Sequence, residues 1–343
     1  MSSIREIAKK ANVSTATVSR VLNDSGTVKP ETKKKVLDII DRFDYSPNMI
    51  GVNLRNCSNK LIVAVVPSIS NPVFSAMCDG VENCAAYHGY RILIAVTNGI
   101  VDKELEFYEM VRNKLADGVL SLSSALDIAT VSIYVSKIPM VSCSSTFINQ
   151  NVPVVAIDNE KAIYDVVKYL YDTGKRKIAY MGIDKKAERN IFASLREKGY
   201  RKAVKELKLE FEPDMVINSG YTYFSGQEES EKLIKLHPDL DAIVCATDIM
   251  AFNTIKTLEL NGKRVPSDIS VTGFDNGDFS LISSPQITSV DQANYETGYR
   301  AMEALWRQIT TGTVEKQMIC IPHRIVKRES TDYKHNTKNN VRC

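Results

Sequence analysis

The sequence predicts a small all-α head at the N-terminus, followed by an α/β body of two doubly wound parallel-sheet subdomains. Three observations predict this fold class. Apolar residues recur at helical spacing through the first 46 residues. From residue 60 onward, short β-branched runs alternate with helical patterns, which is typical of a parallel sheet with helices on both faces. The alternation starts again near residue 160, so the body is expected to divide into two successive halves.

The head begins with two short helices joined by a tight turn. The first helix has an apolar face of Ile4, Ile7, Ala8 and Ala11. Residues 12–14 interrupt this pattern, and Ser14 is a suitable N-cap for a second helix over residues 15–23. The apolar face of the second helix is Val18, Val21 and Leu22, and its other face carries Thr15, Ala16, Thr17, Ser19 and Arg20. A short helix with small hydroxyl residues at its start and an outward arginine fits the major groove of DNA.

A third helix and a linker complete the N-terminal region. The segment VKPET (28–32) leads into the third helix, whose predicted apolar face is Val36, Leu37, Ile40 and Phe43. Residues 47–57 are predicted to form a linker that contains a possible short helix, MIGVNLRN.

The two halves of the body are predicted from the strands that the sequence pattern indicates. Those of the first half are LIVAVVP (61–67), RILIAV (91–96), GVLSLS (118–123), PMVSC (139–143) and VPVVAID (152–158). The second half starts with a helix over 160–173, and a later helix carries Arg196 and ends near Leu207. Its strands are KIAYMG (177–182), MVINS (215–219), AIVCAT (242–247) and ISVTGF (269–274). Two such halves facing each other form a cleft at the carboxyl ends of their strands, where a small molecule can bind.

The loops at those strand ends are rich in hydrogen-bonding groups and poor in cations. They contain SISNP (68–72), TNG (97–99), SS (123–124), GID (182–184), Asp248 and the pair Asp275 and Asn276. This composition suits a neutral polyhydroxylated ligand such as a sugar. Asn, Ser and Gly also populate ordinary loops, so no single one of these residues identifies a site.

Charge and composition narrow the class of protein. Residues 1–60 contain eleven Lys or Arg and six Asp or Glu, a net charge of +5 in a chain of net charge +3. A basic module on a near-neutral body fits a nucleic-acid-binding head. The N-terminus has no apolar signal region and no stretch approaches the length of a membrane span, so a cytoplasmic protein is expected. The seven cysteines and four histidines are scattered, and neither a metal nor a cofactor is predicted.

Specific motifs are spread along the whole chain. They are VSTATVSRVLN (13–23), VKPET (28–32), YSPN (45–48), AIVCATDIMAF (242–252), NGKRVPSDISVTGFDN (261–276) and HRIVKREST (323–331). Together they resemble the lactose-repressor (LacI/GalR) family of bacterial transcription regulators, and the resemblance covers essentially the whole sequence.

The resemblance implies a periplasmic-binding-protein-like body and a division into domains. A helix-turn-helix DNA-binding domain is expected at 1–46, a hinge helix and linker at 47–59, and an effector-binding and dimerisation domain at 60–343. Within the body, the expected N-subdomain is about 60–160 plus 291–322, and the C-subdomain is about 161–290 plus 323–331. The late segment ITSVDQ (287–292) and a helix over 295–309 are expected to return to the first half.

The resemblance also implies the DNA contacts. Base contacts are expected from Thr15, Ala16 and Arg20. A guanine bonded by Arg20 at O6 and N7 would add about 1–3 kcal/mol of discrimination. Phosphate contacts are expected from Ser14, Thr17, Ser19, Asn23, Thr27, Thr32, Tyr45 and Asn48.

The hinge matches the family with one departure. Family members fold this segment on operator DNA, and Leu54 matches the residue that wedges into a base step of the minor groove. Arg55, beside it, is expected to follow the narrow groove. Gly51 stands where the family usually has alanine, and glycine costs about 1 kcal/mol in a helix interior. We therefore expect Gly51→Ala to tighten operator binding; an unchanged affinity would contradict this.

Effector contacts are implied by two motifs and by neighbouring positions. Arg196 begins an R-x-x-G-aromatic motif, and Asp275 ends a G-aromatic-D motif. Further expected effector residues are Asn71, Phe74, Asn98, Tyr221 and Asp248. Two departures from the family leave the ligand open: Thr247-Asp248 replaces the usual Asn-Asp, and SCSSTF (142–147) lacks the charged residue that many members carry. A sugar or sugar derivative is expected, with a phosphorylated sugar, a nucleoside or a partner protein as alternatives.

We expect the protein to bind a pseudo-palindromic operator as a homodimer. Repression is the more common outcome in the family, so a repressor of carbohydrate-uptake or catabolic genes is expected. Effector in the cleft changes the angle between the lobes and thereby the spacing of the hinges. A sugar-binding transport receptor shares the two-lobed body but needs export. An enzyme is not expected, because the sequence has no G-x-G-x-x-G after its first strand, no G-x-S-x-G and no P-loop.

Overall fold

The computed structural model describes residues 3–22, 25–44, 58–143, 152–184, 191–220, 224, 226–314 and 318–331. The chain forms two compact units, Met1–Asn59 and Lys60–Cys343. A small apolar core lies in the first unit, and two larger cores lie in the second. None of the helices in the described ranges is both long and apolar enough to cross a lipid bilayer.

The first unit, the head, contains α1 (Ile4–Ala11), α2 (Thr15–Leu22) and α3 (Pro30–Arg42). α1 begins at a reciprocal cap: the Ser3 side chain accepts from the Glu6 N–H, and the Glu6 carboxylate accepts from the Ser3 N–H. It ends at Asn12, whose φ of 55° is left-handed. Asparagine adopts this conformation more readily than most residues other than glycine. The turn predicted at residues 12–14 is therefore present.

The predicted apolar faces of α1 and α2 are confirmed, but that of α3 is partly wrong. The buried core of the head consists of Ile7, Ala8, Ala11, Val18, Val21 and Val36, with Ile4, Val13, Leu22, Val28, Ile39 and Ile40 packed against it. Leu37 is 40% exposed and Phe43 is 38% exposed. α3 contacts the core through one narrow stripe, and these two side chains lie outside that stripe. The Phe43 ring lies instead against the Lys10 ammonium, which is 4.2 Å from the ring centroid.

The second unit, the body, begins with a six-stranded parallel sheet. Its strands are β1 (Leu61–Val66), β2 (Arg91–Val96), β3 (Gly118–Ser121), β4 (Met140–Ser142), β5 (Val154–Ala156) and, from late in the chain, β11 (Met318–Cys320). Across the sheet the order is β11-β5-β4-β3-β1-β2, and every neighbouring pair is parallel. The five strands predicted for this half are confirmed, whereas β11 was not predicted.

A second six-stranded sheet follows. Its strands are β6 (Ile178–Ile183), β7 (Val216–Ser219), β8 (Ala242–Cys245), β9 (Ser270–Phe274), β10 (Thr288–Asp291) and β12 (Arg324–Val326), in the order β12-β10-β9-β8-β6-β7. Only β12, at the edge of the described sheet, runs antiparallel to its neighbour. A pair of mostly parallel sheets confirms the predicted α/β fold class.

Helices flank both sheets. They are α4 (Pro72–Tyr87), α5 (Val101–Arg112), α6 (Ile128–Val135), α7 (Asn159–Asp172), α8 (Ile191–Leu207), α9 (Gln227–Leu236), α10 (Asp248–Leu260), α11 (Asp278–Ile282) and α12 (Asn294–Thr311). Short 3₁₀ turns occur at Pro213–Met215 and Glu329–Thr331.

The described chain passes between the two sheets three times. It does so after β5, after β10 and again between β11 and β12. The expectation that ITSVDQ (287–292) returns to the first half is wrong for the strand itself, because β10 pairs with β9 in the second sheet. The return begins after β10, where α12 packs on α4 and on strands of the first sheet.

Two helix pairs approach so closely that only glycine fits at the contact. At Gly80 in α4, an added Cβ would overlap the carbonyl oxygen of Tyr295 in α12. Gly199 in α8 is similarly placed against the carbonyl oxygen of Glu160 in α7. Because interiors are close-packed, neither helix can accept a methyl group there without moving. These contacts fix α12 against α4 and α8 against α7.

Candidate functional site

The outer face of α2 is presented to solvent in the head. Thr15, Ala16 and Arg20 are exposed, and Ser19 is partly buried. Together with Ile4 and Arg5, these four residues line a groove of about 560 Å³. The structure therefore places on one surface the three residues predicted to contact bases.

Ser14 caps α2 as predicted. Its Oγ accepts a hydrogen bond from the Thr17 N–H at 3.1 Å and lies 2.9 Å from Thr17 Oγ1. Both hydroxyl groups are at the helix N-terminus, where unpaired amides and the helix dipole favour an anion such as phosphate. Thr27 is exposed, and Thr32 is partly buried in the first turn of α3.

Several predicted DNA-contacting residues lie outside the described residues. They are Asn23, Tyr45, Asn48, Leu54 and Arg55, together with Gly51 and most of the hinge segment 47–59. Their roles stay predictions.

A cleft of about 680 Å³ lies in the body at the carboxyl ends of the strands, within the range typical of small-molecule sites. The predicted effector residues that line it are Asn71, Phe74, Asn98, Asp248 and Asp275. A smaller cavity of about 60 Å³ shares part of this wall and adds Arg196 and Cys143. Of the predicted effector set, Tyr221 lies outside the described residues, as does segment 144–147 of the SCSSTF departure.

The first-half wall of the cleft is formed by the loops that follow β1 and β2. Asn71 caps α4, since its Oδ1 accepts from the Val73 N–H at 2.9 Å. Phe74, in the first turn of α4, lines both cavities. Asn98 has a left-handed φ of 54°, and its N–H donates to the Pro67 carbonyl oxygen at 3.1 Å. That backbone bond joins the two loops.

Arg196 is 4% exposed and is held by several groups of the body. Its Nε donates to Asn159 Oδ1 at 2.9 Å, and its Nη1 donates to the Ala246 carbonyl oxygen at 2.6 Å. Its Nη2 lies 3.8 Å from Asp275 Oδ1, and its guanidinium carbon lies 3.5 Å from the centroid of the Phe274 ring. The guanidinium is thus fixed in the wall of the smaller cavity.

Asp275 links the two cavities. Its φ of 107° is unusual for a residue other than glycine, and such strain is common at ligand sites. Gln292 Nε2 donates to Asp275 Oδ1 at 2.7 Å. Burial raises the pKa of Asp275 to about 7, and the charge of Arg196 opposes this rise. The carboxyl group can therefore accept ligand hydrogen bonds when ionised and donate one when protonated.

Asp248 lines the cleft, but its two oxygens are engaged by the body. Oδ1 accepts from Ser289 Oγ at 2.5 Å, and Oδ2 accepts from the Gly277 N–H at 2.8 Å. Burial and the charge of Asp275 hold the pKa of Asp248 well above its usual range. The preceding Thr247 caps α10 through the Met250 N–H at 3.3 Å. Threonine thus performs the capping that an asparagine would provide there.

Family models match nearly the whole chain. Residues 3–48 match the model described as bacterial regulatory proteins, lacI family. Residues 59–329 match the model described as periplasmic binding proteins and sugar binding domain of LacI family. The chain belongs to the LacI family. Membership confirms the predicted family and the predicted class of activity, a DNA-binding transcriptional regulator.

LacI-family proteins similar to this chain match it over almost their full length. Catabolite control protein A of Priestia megaterium is 35% identical over 329 residues, which cover 96% of this chain and 98% of that protein. The ribose operon repressor of Halalkalibacterium halodurans is 30% identical over 339 residues, which cover 99% and 100% respectively. The solved complex of the transcriptional regulator CelR with cellobiose has a TM-score of 0.72 at 25% identity and covers 96% of this chain and 100% of that one.

Several residues that line the two cavities were not predicted, among them Asn159, Asp278, Phe279, Gln292 and Asn294. Asn159 follows β5, whereas Gln292 and Asn294 follow β10. The position after a strand, which identified the other polar loops, would have indicated Asn159, whereas Gln292 and Asn294 follow a segment that was not predicted to be a strand of the second half. Phe279 lies in the short helix α11 and has no comparable signal in the sequence.

Proposed function

We propose that this LacI-family regulator is a repressor of carbohydrate-uptake or catabolic genes, controlled by a sugar or sugar derivative in the body cleft. The observation that carries the proposal is the cleft itself: amide and carboxylate side chains line a cavity of about 680 Å³ beside the Phe74 ring. An aromatic ring against the apolar face of a sugar, with polar groups at its rim, is a common arrangement for carbohydrate binding. The names of two relatives, a ribose operon repressor and a cellobiose-bound regulator, support this class of ligand.

In this proposal the ligand contacts come from both walls of the cleft. Asn71, Asn98 and Asp275 hydrogen-bond its hydroxyl groups, and Phe74 stacks on it, with Tyr221 as a second ring. Asp248 acts as a positioning residue, because its oxygens already hold the loop that follows β9. Arg196 borders the smaller cavity and orients Asp275.

The proposed DNA contacts belong to the head and the hinge. Thr15, Ala16 and Arg20 contact base edges in the major groove. The phosphate contacts are those of Ser14, Thr17, Ser19, Asn23, Thr27, Thr32, Tyr45 and Asn48. Leu54 and Arg55 enter the minor groove from the hinge.

The proposed assembly is a cytoplasmic homodimer on a pseudo-palindromic operator. We assign the head to 1–46, the hinge to 47–59 and the effector-binding and dimerisation body to 60–343. Its function is binding without catalysis: ligand changes the relation of the two lobes and so biases the hinges toward or away from the operator-competent state.

Operator selection tests the DNA-binding part of the proposal. The purified protein is used to select duplexes from a random library, and the affinity for the selected sequence is measured over a salt series. We expect a pseudo-palindromic sequence and a steep linear fall of log affinity with log salt. Recovery of no common sequence would refute the proposal.

A ligand screen tests the control by an effector. Thermal unfolding is followed with sugars and nucleosides, and each compound that raises the midpoint is added to the protein–operator complex. A ligand at about 100 times its dissociation constant stabilises by roughly 2.7 kcal/mol. A true effector must also change the operator affinity; a compound that stabilises without doing so is only a bound additive.

A further inference from the structure

The loop that follows β9 forms part of the cleft wall. Its residues 275–278 line the larger cavity. Asp275 has a φ of 107° and Asn276 has a φ of 52°, so two consecutive residues other than glycine have a positive φ. Asparagine reaches the left-handed region at little cost, whereas a φ of 107° lies outside that region and strains the backbone. A strained turn persists only where its surroundings hold it, so the contacts of this loop determine the shape of the wall.

Two side chains hold the backbone of this loop. The Asn276 N–H donates to Ser289 Oγ at 3.0 Å, and the Gly277 N–H donates to Asp248 Oδ2 at 2.8 Å. Ser289 Oγ in turn donates to Asp248 Oδ1 at 2.5 Å. Asp248 therefore holds the loop both directly and through Ser289, and the two backbone amides report whether the loop is in place.

The start of α12 adds little to this hold. Asn294 Nδ2 donates to the Asp275 carbonyl oxygen at 3.5 Å, which is long for a hydrogen bond. Asn294 Oδ1 is buried and has no hydrogen-bond partner among the residues that the structure describes. Gln292 bonds the carboxyl group of Asp275 rather than the backbone of the turn. Further support for the turn must therefore come from another element.

Arg328 supplies that support from the segment that follows β12. Its Nη2 donates to Asn276 Oδ1 at 2.6 Å, and its Nη1 donates to the Ile287 carbonyl oxygen at 2.8 Å. Its backbone N–H donates to Thr288 Oγ1 at 2.8 Å, at the start of β10. A planar guanidinium directs its donors along fixed directions, so it joins the side chain of the turn to the strand beside it.

Arg328 also faces one of the buried carboxyl groups behind the loop. Burial raises the pKa of Asp248 well above its usual range, and the charge of Arg328 acts against this rise. Arg196 has the same relation to Asp275. Arg196 lines the smaller cavity, whereas Arg328 is not among the described residues that line either cavity. Arg328 can therefore act on the cleft only through the loop.

We propose that Arg328 is a positioning residue of the cleft, which keeps the loop 275–277 in its strained form by holding the Asn276 side chain. The inference rests on the proposed function, since it concerns the wall of the same cleft. It gives a role to the motif HRIVKREST (323–331), in which Arg328 lies. The ligand site then depends on a side chain that does not touch the ligand.

Hydrogen exchange of the full-length protein tests the position of the loop. Arg328→Met removes the donors and keeps a long unbranched side chain. We expect the amides of Asn276 and Gly277 to exchange about tenfold faster, the size of one hydrogen bond. Arg324→Met is the matched control, since Arg324 is on β12, is 77% exposed and pairs with Asp291. Unchanged exchange in Arg328→Met, or an equal rise in both variants, overturns the inference.

The titration of Asp275 provides a second measurement. The free energy of unfolding in urea is measured from pH 4 to pH 8 for the wild type and Arg328→Met, each against its own Asp275→Asn counterpart. In the wild type, burial raises the pKa of Asp275 to about 7. A released loop exposes this carboxyl group to water, so its pKa falls and the pH-dependent loss of stability ends about one pH unit lower.

The direction of that shift separates positioning from charge. Removing the cation alone would favour the protonated carboxyl group and move the profile to higher pH. General destabilisation by Arg328→Met would lower both members of the pair and leave their difference unchanged. A profile that stays in place or moves upward therefore contradicts the positioning role.

The proposed function has a separate readout. Both measurements on Arg328 use the protein without ligand or DNA, whereas the proposed function is tested by operator selection and by the ligand screen. Failure to bind a specific operator counts against the proposed function. Specific operator binding combined with unchanged exchange of the loop in Arg328→Met counts only against the positioning role.

Discussion

Arg20 stands on the exposed face of α2, and its long side chain is the group there best suited to distinguish one base pair from another. We expect Arg20→Ala to reduce discrimination between the operator and a scrambled duplex by about 1–3 kcal/mol. Arg42→Ala is the matched control, since it removes the same charge from an exposed position at the end of α3. It should weaken both duplexes about equally. Fluorescence anisotropy at fixed salt measures the affinity of each variant for the operator and for the scrambled duplex. An equal loss of specificity in Arg42→Ala would contradict base recognition by Arg20.

Asp275 makes stability depend on pH. Burial raises its pKa from an ordinary 3.8 to about 7 in the folded protein, so the folded state holds its proton more tightly than the unfolded state. Its contribution to the free energy of unfolding is complete below about pH 4 and is lost as the pH rises through 7. We therefore expect the wild type to lose stability relative to Asp275→Asn over that range, as measured by urea unfolding at several pH values.

Asp268 is a control whose pKa is shifted in the opposite direction, so its effect on stability has the opposite pH dependence. The Arg264 side chain lowers the pKa of Asp268 to about 2, so its contribution is present above about pH 4 and disappears as the pH falls toward 2. The difference in free energy of unfolding between the wild type and Asp268→Asn should become smaller in acid. The corresponding difference between the wild type and Asp275→Asn should instead grow as the pH rises toward neutral. Parallel pH profiles for the two variants would exclude our explanation.

Individual ligand-site residues were predictable to different degrees. The motifs around Arg196 and Asp275 were sufficient to predict that both residues lie at the ligand site. Only the fold shows that the Arg196 side chain donates hydrogen bonds to Asn159 and Ala246. Gln292 and Asn294 follow β10, and they were not predicted because ITSVDQ (287–292) was expected to return to the first half. The unpartnered state of Asn294 Oδ1 depends on how α12 packs, and no local sequence pattern contains that information.

Among the elements, α8 depends on a single glycine. Gly199→Ala places a methyl group against the Glu160 carbonyl oxygen and must push α8 away from α7. Because Arg196 is on α8 and Asn159 is on α7, their hydrogen bond should weaken as well. We expect a loss of about 1–3 kcal/mol in stability, the usual cost of overpacking, together with weaker ligand binding.

Gly277→Ala is the control for this change. An added Cβ at Gly277 has its nearest neighbour, Asp248 Oδ2, at 3.9 Å, which is an ordinary contact. Urea unfolding should show little change in stability for this variant. If Gly199→Ala were equally harmless, the close helix contact would not matter for the fold.

Secondary structure was predictable where the local pattern was strong. The uninterrupted β-branched run at β1 matches its strand closely, because both faces of a central parallel strand are buried. The apolar face of α3 was overestimated, since helical spacing does not reveal how wide a stripe the neighbouring helices cover. β11 has three residues and depends on pairing with β5, so it carried no signal of its own. The sheet to which β10 belongs was likewise set by distant residues.

β2 is an edge strand of the first sheet as described, and it exposes apolar side chains. Leu93 is 37% exposed and Ile94 is 42% exposed. Exposed apolar strand edges are prone to pair with another chain, so we assign this edge to the proposed homodimer interface. Ile94→Lys should shift the protein toward monomer in sedimentation velocity and lower operator affinity by tenfold or more. Leu115→Lys, at another exposed apolar position of the same half, should leave the dimer intact; dissociation by both variants alike would contradict the assignment.

The three passages between the sheets also constrain how the protein is made. β11 pairs with β5 and β12 pairs with β10, so neither sheet has all six of its strands before residues 318–326 have been synthesised. Until then, a nascent chain on the ribosome exposes β5 and β10 as sheet edges, whereas in the finished fold these two strands lie inside their sheets. A chain that ends before residue 318 would therefore leave β5 and β10 unpaired on one side and prone to pair with another chain.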